Sequence, residues 1–455
     1  MELSNHLIEA SLTFDGGLSE TQNGHYVMVG DGRLVIKYKK RMLVIEDLVL
    51  LISIWSNSPL PATNAQSIKV YCNDIYITSS LIELGQRCQI LIPVPPMDGG
   101  AMEIDLRADI CEIPPQINLA SISSEFPLKV NVLGWYQLSS LYQDLEERMV
   151  WIFGSARSGS SWLAEILCSH HRSRPMDETM IGAFFGCFSW EPENVLDAAL
   201  KRCHYKPALI LNKGVTSDEE GVSSPPFRRM IASSYFRPQS SFSHKSRDLL
   251  MKTARNWILE HIILEWGISI PGSGNKYQNV IMKCPNESHA ADILSLCFPK
   301  SSFIFLIRDG RDIIDSRFAP FSSLDLGEYG RDTEKRLSAI AYFSHFWNFQ
   351  TDIVAAAFEN HEPARRLLVR YEDLRYNPVP NILRIFDVLG YQDTEDEIIK
   401  IAEKNAFENL PATERGENKP RRKARPGGYR DSFSETEIQL MNDIMGDNLK
   451  KYGYM

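Results

Sequence analysis

Arg157 stands in a turn of glycines and hydroxyls, Gly154-Ser155-Ala156-Arg157-Ser158-Gly159-Ser160-Ser161, that follows the apolar run MVWIF and leads into helix-forming sequence at Trp162. Such a turn offers main-chain N–H groups, hydroxyl donors and one guanidinium to a tetrahedral anion, with a helix start close by. The chemistry indicated is phosphate or sulfate binding. It is not the loop of a nucleotide triphosphatase, because GxxxxGK[ST] is incomplete: serines, not lysine, follow Gly159. Taken alone, the turn would serve equally well as a helix cap with a solvent-facing arginine.

Two further segments suit anions. SSFIFLIRDGRDIIDSRF places Arg308 at the end of an apolar strand and Ser316 eight residues later on the helix expected next. A strand-end guanidinium and a helix hydroxyl can reach one phosphate together, with Arg311 or Asp309 organising the turn. The alternative is a buried ion pair among Arg308, Asp309 and Asp312. KPRRKARPGGYR at 419–430 gathers Arg421, Arg422, Lys423 and Arg425 ahead of Gly427 and Gly428, a cationic loop able to bend over a ligand. Together the three segments point to a multiply phosphorylated nucleotide.

Elements must position these residues, and a chain of 455 residues with 44% hydrophobic and 24% charged residues is long enough for more than one core. From about His25 to Gly134, short β-rich stretches such as RLVIKY, SIKVYC and MEIDLRADI alternate with polar or Gly/Pro turns, predicting an antiparallel domain, a small sandwich. Helical periodicity takes over at YQLSSLYQDLEERM. Strand-like MVWIF, ALILN, NVIMK, SFIFLI and RLLVRY then alternate with helix-length stretches, the pattern of an α/β domain with a mostly parallel sheet. The expected division is a β-rich accessory domain with its linker helix at 1–147 and an α/β domain at 148–455. Ligand chemistry belongs at the carboxyl ends of the parallel strands.

Composition narrows the class. A formal net charge of -9 argues against non-specific nucleic-acid binding and leaves room only for a local basic site. Eight cysteines form no CxxC pair and no zinc-finger grouping with histidine, so no metal site and no disulfide framework is expected. The start MELSNHLIEASLTFDGG lacks the pattern of a secretory signal, and MLVIEDLVLLISIW carries two acids and is too short for a membrane span. The expectation is a soluble, cytoplasmic protein with no membrane insertion.

The three anion-suited segments occur in the order in which they occur in the sulfotransferases that use 3'-phosphoadenosine 5'-phosphosulfate, and the chain resembles that family over about residues 148–455. GSARSGSSWL resembles the family's 5'-phosphosulfate loop and FLIRDGRDIIDS its 3'-phosphate motif. LLVRYEDLRYNPVPNILRIFDVLGY and YRDSFSETEIQLMNDIMGDNLKKYGY resemble its later helical portions. The resemblance implies a P-loop-like parallel sheet flanked by helices, with the phosphosulfate nucleotide as donor substrate, 3'-phosphoadenosine 5'-phosphate as product, and no metal.

It further implies that Arg157 contacts the 5'-phosphosulfate in a cradle shaped by Gly154, Ser155 and Gly159 and completed by Ser158, Ser160 and Ser161. Trp162 and Tyr371 join the donor-binding set, Arg308 and Ser316 hold the 3'-phosphate, and Arg422, Lys423 and Arg425 belong to the late basic loop. Ala424 stands there in place of the family's glycine. Lys283, ending NVIMK, fits the strand-end lysine that stabilises the bridging oxygen, while Pro285 occupies the place of the histidine base found in many cytosolic members. A branch similar to the tyrosylprotein sulfotransferases carries its base as a glutamate before threonine, and MDET puts Glu178 at the matching distance, with Asp177 able to orient it. His289 is the second candidate base. His170, His171 and His204 read as surface or core-edge residues.

The function expected is sulfuryl transfer to a hydroxyl or amine of a small-molecule acceptor, carbohydrates and natural products included. The accessory domain would recognise the acceptor or assemble a homo-oligomer. The alternatives are a nucleotide-binding adaptor without transferase activity and an ATP-dependent kinase, the latter disfavoured by the missing P-loop lysine and kinase metal-binding set.

Overall fold

The computed structural model describes residues 10–20, 26–38, 48–56, 65–72, 75–82, 87–93, 100–111, 128–176, 244–266, 279–286, 288–318, 333–411, 413–416 and 424–455. Two compact units are formed, one by Met1–Leu145 with Asn256–Tyr277 and one by Glu146–Arg255 with Gln278–Met455.

In the first unit lie β1 (Ala10–Glu20), β2 (Tyr26–Tyr38), β3 (Leu48–Ser56), β4 (Ala65–Cys72), β5 (Ile75–Ile82), β6 (Arg87–Pro93), β7 (Gly100–Cys111) and β8 (Leu128–Gln137). Hydrogen bonding links them in the order β5-β4-β7-β2-β8-β3-β6, with β1 paired to β2. All pairings are antiparallel. The sequence predicts an antiparallel domain, a small sandwich, and hydrogen bonding runs continuously through eight antiparallel strands. The 13-residue β2 is shared: its second half pairs with β7 and its first three residues pair with β8.

Helix α1 (Leu138–Arg148) leads into the second unit's sheet, whose strands are β9 (Met149–Phe153), β10 (Ser173–Met176), β11 (Asn279–Lys283), β12 (Ser302–Ile307) and β13 (Arg366–Arg370). Their order is β10-β11-β9-β12-β13 and every pairing is parallel. Among the described residues the helices that follow α1 in chain order are α2 (Ser160–Cys168), α3 (His244–Trp266), α4 (Ala291–Cys297), α5 (Gly310–Arg317), α6 (Glu334–Asn360) and α7 (Tyr371–Tyr376). Then come α8 (Pro378–Val388), α9 (Glu395–Lys404), α10 (Tyr429–Ser432) and α11 (Glu435–Lys451). This is an α/β fold with a parallel sheet flanked by helices.

Central strands β9 and β12 are buried at every residue. That is why MVWIF and SFIFLI read as unbroken apolar runs: a parallel strand covered on both faces has no polar side to alternate with. Val150 and Ile152 pack with Leu163, Ile166, Leu167, Ile304, Leu306 and Phe386 in one core. The intervening Trp151 and Phe153 stack on each other at 5.7 Å, and Phe153 meets Phe303 at 4.7 Å. Among the described residues the edge strand β10, SRPM, pairs only with β11, where a proline's missing N–H is tolerated.

Because β9 lies between β11 and β12, the chain leaves it at a point where the strand order reverses, and a crevice opens there at the strands' carboxyl ends. The loop after β9, Lys283 at the end of β11 and Arg308 just past β12 are thereby brought to one place. Among the described residues no helix is long and apolar enough to cross a membrane.

Candidate active site

The β9–α2 loop is held in an unusual backbone path. Gly154 has φ 155°, Arg157 φ 75° and Gly159 φ 97°. A Cβ on Gly154 would lie 2.1 Å from the Leu306 carbonyl oxygen, and one on Gly159 would lie 2.6 Å from Tyr371 Cδ2, so neither site admits a side chain. Arg157 is a non-glycine residue in the left-handed region, the kind of local strain that collects at ligand-gripping loops. A turn bond from Ser158 N–H to the Ser155 carbonyl (3.0 Å) tightens the loop, and Leu163 N–H to the Gly159 carbonyl (2.9 Å) opens α2.

Support comes from behind. The Ser288 hydroxyl accepts from Gly154 N–H at 2.8 Å and lies 2.7 and 2.8 Å from the carbonyl oxygens of Gly154 and Cys284. One buried side chain thus ties the turn after β11 to the loop after β9. Nothing in NESH signals this role.

A cavity of about 590 Å³ lies in front of the loop. Arg157, Gly159, Ser160, Ser161 and Trp162 line it from the loop, Arg308 and Ser316 from β12 and α5, and Tyr371 from α7. Arg157 Nε donates to Ser316 Oγ at 3.0 Å and Arg308 Nη1 donates to the Arg157 carbonyl at 3.0 Å. The Arg308 guanidinium lies 4.5 Å from the centre of the Tyr371 ring, whose edge meets Trp162. Lys283 Nζ donates to Ser161 Oγ at 3.1 Å. Two segments 150 residues apart in the chain are therefore interlocked around one space.

Arg308 does not form the ion pair with Asp309 that the sequence allows. Asp309 caps α5 by accepting from Arg311 N–H, and its carboxylate pairs with the Arg311 guanidinium at 2.8 Å. Asp312 instead accepts from the N–H groups of Gly427 (2.7 Å) and Tyr429 (3.1 Å), and burial raises the pKa of its carboxyl despite the Arg308 charge nearby. Asp312 thereby moors the glycines that end the basic loop to the helix carrying Ser316. Arg425 and Ala424 line the cavity, with Arg425 paired to Asp431 at 3.2 Å. Ala424 has φ 45°, a left-handed backbone at the position where the resemblance implies glycine, and its carbonyl accepts from Arg375 Nε at 3.1 Å.

A second mooring involves the carboxyl-terminal residues. Tyr454 Oη donates to Glu372 at 2.9 Å, Glu372 accepts from Asp309 N–H at 3.1 Å, and the Tyr454 carbonyl accepts from Arg311 Nη2 at 2.8 Å. Burial raises the pKa of the Glu372 carboxyl.

His289 lies in the short 3-10 turn Ser288–Ala290 and is not among the cavity-lining residues, and burial pushes its imidazole down to about 4. His170 is buried at the end of α2, 3.1 Å from Asp393 and 4.1 Å from the Tyr391 ring. Asp177, Glu178, His204, Arg421, Arg422 and Lys423 lie outside the described residues. Residues that sequence reasoning missed include Arg375, Phe407 and Asn286, all on the cavity wall.

Chemically, the cavity offers four arginines, Arg157, Arg308, Arg375 and Arg425, to anions, and the flat faces of Trp162, Tyr371 and Phe407 to an aromatic ring. Ser158 Oγ is buried with no hydrogen-bond partner among the described residues, and Ser158 is not among the cavity-lining residues.

Comparison with known proteins gives three findings. A search of curated protein sequences finds no match. Solved structures similar to the chain include sulfotransferase STF9 from Mycobacterium avium (14% identity, TM-score 0.36, covering 69% of this chain and 81% of that one). The sulfotransferase domain of the olefin synthase from Synechococcus PCC 7002 is similar at 16% identity and TM-score 0.33, covering 65% and 94% of the two chains. Mouse sulfotransferase SULT7A1 complexed with PAP is similar at 13% identity and TM-score 0.35, covering 71% and 98%. The family model described as "Sulfotransferase family" matches residues 150–396, more than half of the chain, and spans the loop, both strand ends and Tyr371: the protein belongs to the sulfotransferase family.

Proposed function

We propose that the protein transfers a sulfuryl group from 3'-phosphoadenosine 5'-phosphosulfate to a hydroxyl or amine of a small-molecule acceptor. The observation that carries this reading is the interlocking of Arg157 with Ser316 and of Arg308 with the Arg157 carbonyl around one cavity, because a donor with phosphate groups at both ends of a nucleoside needs both grips at once. The four lining arginines fit such a polyanion.

When bound, the donor supplies a sulfuryl group activated by its bond to phosphate. Arg308 and Ser316 bind the 3'-phosphate. Arg157 and Lys283 place positive charge where negative charge grows on the bridging and leaving oxygens, held in position by Ser316 and Ser161 before any ligand arrives. Trp162, Tyr371 and Phe407 take the base. Glu178 accepts the acceptor's proton, with His289 as the second candidate, and Arg422, Lys423 and Arg425 close over the donor from the P-loop-like side. The β strands of residues 10–137 form an accessory domain for acceptor recognition or assembly, and the protein works in the cytoplasm.

The test is incubation with isotopically labelled donor and fractionated small-molecule extract, with mass detection of the product. Calorimetry with adenosine 3',5'-bisphosphate checks the donor site separately. No association with that nucleotide would refute the reading.

A further inference from the structure

Gln350, within α6, is fully buried, and neither its Oε1 nor its Nε2 has a hydrogen-bond partner among the described residues. A buried carboxamide left unbonded is costly, and such groups call for an explanation. Gln350 borders a narrow gap behind the donor cavity, together with Gly154, Ser155, Leu306, Arg308 and Trp347. Two more orphaned buried atoms belong to this gap's lining residues: Ser155 Oγ and Arg308 Nε.

The four atoms are complementary. Arg308 Nε can only donate, Gln350 Oε1 can only accept, Gln350 Nε2 carries two donors, and the Ser155 hydroxyl takes either part. Arg308 has already committed Nη1 to the Arg157 carbonyl and its face to Tyr371, while its Nε is buried without a partner among the described residues. Ser155 belongs to the 5' loop and Arg308 to the 3' motif. Gln350 stands between the two halves of the donor grip, on a helix that supplies no lining residue to the donor cavity.

We propose that Gln350 is a positioning residue that couples the two grips: Oε1 accepts from Arg308 Nε and Nε2 donates to Ser155 Oγ when both ends of the nucleotide are engaged. This rests on the donor reading given above. Closing the gap relieves three unmet polar groups at once, so the relief adds to affinity only for a ligand that draws the loop and Arg308 into place together. A ligand lacking one phosphate gains little from it.

The experiment measures, by calorimetry, the factor by which adenosine 3',5'-bisphosphate binds more tightly than adenosine 5'-phosphate. It compares the wild type, Gln350→Met, Ser155→Ala and the double variant. The expected result is a fall in that factor of about ten-fold in Gln350→Met, and a fall in Ser155→Ala as well, although Ser155 sits on the loop of the other phosphate. The double variant should lose no more than the larger single loss, because both substitutions break one network. A merely structural glutamine would lower the melting temperature and leave the factor unchanged. An unchanged factor in Gln350→Met, or losses that multiply in the double variant, would overturn the coupling. Should Gln350→Met fail to fold, Ser155→Ala decides alone, and an unchanged factor there overturns it. If the wild type itself binds both nucleotides equally, the donor reading fails first.

Discussion

Arg157 Nε donates to Ser316 Oγ at 3.0 Å, joining the residue expected at one end of the donor to a residue expected at the other. The serine acts as acceptor in that bond, so its own O–H remains to be given to a phosphate oxygen. The arrangement therefore does not have to be broken for a nucleotide to enter. That one contact is organised in advance, which lowers the part of the ordering cost that falls on Arg157 and Ser316, while closing the gap at Gln350 is left to the ligand.

Arg308→Ala should weaken donor binding far more than it slows turnover. The substitution removes the proposed phosphate contact, the bond to the Arg157 carbonyl and the stacking on Tyr371. A loss of about 2 kcal/mol, roughly thirty-fold in Kd, is expected. Titration with adenosine 3',5'-bisphosphate measures it, and a Kd within two-fold of wild type would contradict the role.

Glu178→Gln should reduce turnover by about two orders of magnitude or more while leaving nucleotide affinity close to wild type, as loss of a general base does. Product formation at saturating donor, compared with nucleotide calorimetry, separates the two effects. Undiminished turnover would remove Glu178 from the mechanism and bring His289 forward.

Gly159→Ala places a methyl 2.6 Å from Tyr371 Cδ2 at a backbone φ of 97°. The Tyr371 ring must move, and with it the Arg308 guanidinium that lies over it. A stability loss on the order of 2 kcal/mol and a weakened nucleotide site are expected together. A melting temperature and Kd matching wild type would show that the loop yields more easily than its contacts imply.

Stability should fall in mild acid, in part through His289. Burial holds its imidazole near 4, against about 6.5 for an exposed histidine. Between those values the unfolded chain takes up a proton that the folded chain refuses. This contribution to stability is therefore complete above about pH 6.5 and is lost as the pH falls toward 4. In His289→Gln the drop in urea midpoint between pH 7.5 and pH 5 should shrink. It should not vanish, because burial also lowers the pKa values of His170 and His361. An undiminished drop would mean that His289 titrates as an exposed residue.

The parts of the site that could be read from the sequence are those whose partners lie close by along the chain. GSARSGSSW, the strand-end Arg308 and Ser316 eight residues later each carry their geometry in local spacing, and the structure places Arg157, Gly159, Ser160, Ser161, Trp162, Arg308 and Ser316 around one cavity, while Gly154, Ser155 and Ser158 do not line it. Asp312, Ser288 and Gln350 were not legible. Their partners, Gly427 and Tyr429, Gly154, and the gap behind the loop, are distant in sequence, and an isolated acid, serine or glutamine has no periodicity to betray it. Strand periodicity identified β9 and β12 because both are wholly buried. It passed over β10, four residues with a proline, which parallel pairing to β11 alone makes a strand. No local signal shows that β2 is shared among β1, β7 and β8.

The bonds made by Tyr454 have a practical consequence. Through Glu372 and Arg311 this residue, next to last in the sequence, steadies the peptide that follows Arg308. A purification handle or trimmed tail that dislodges Tyr454 would act at long range, loosening phosphate recognition without altering any residue that faces the cavity. Protein altered at Tyr454 is therefore the wrong reagent for judging whether the proposed nucleotide site works.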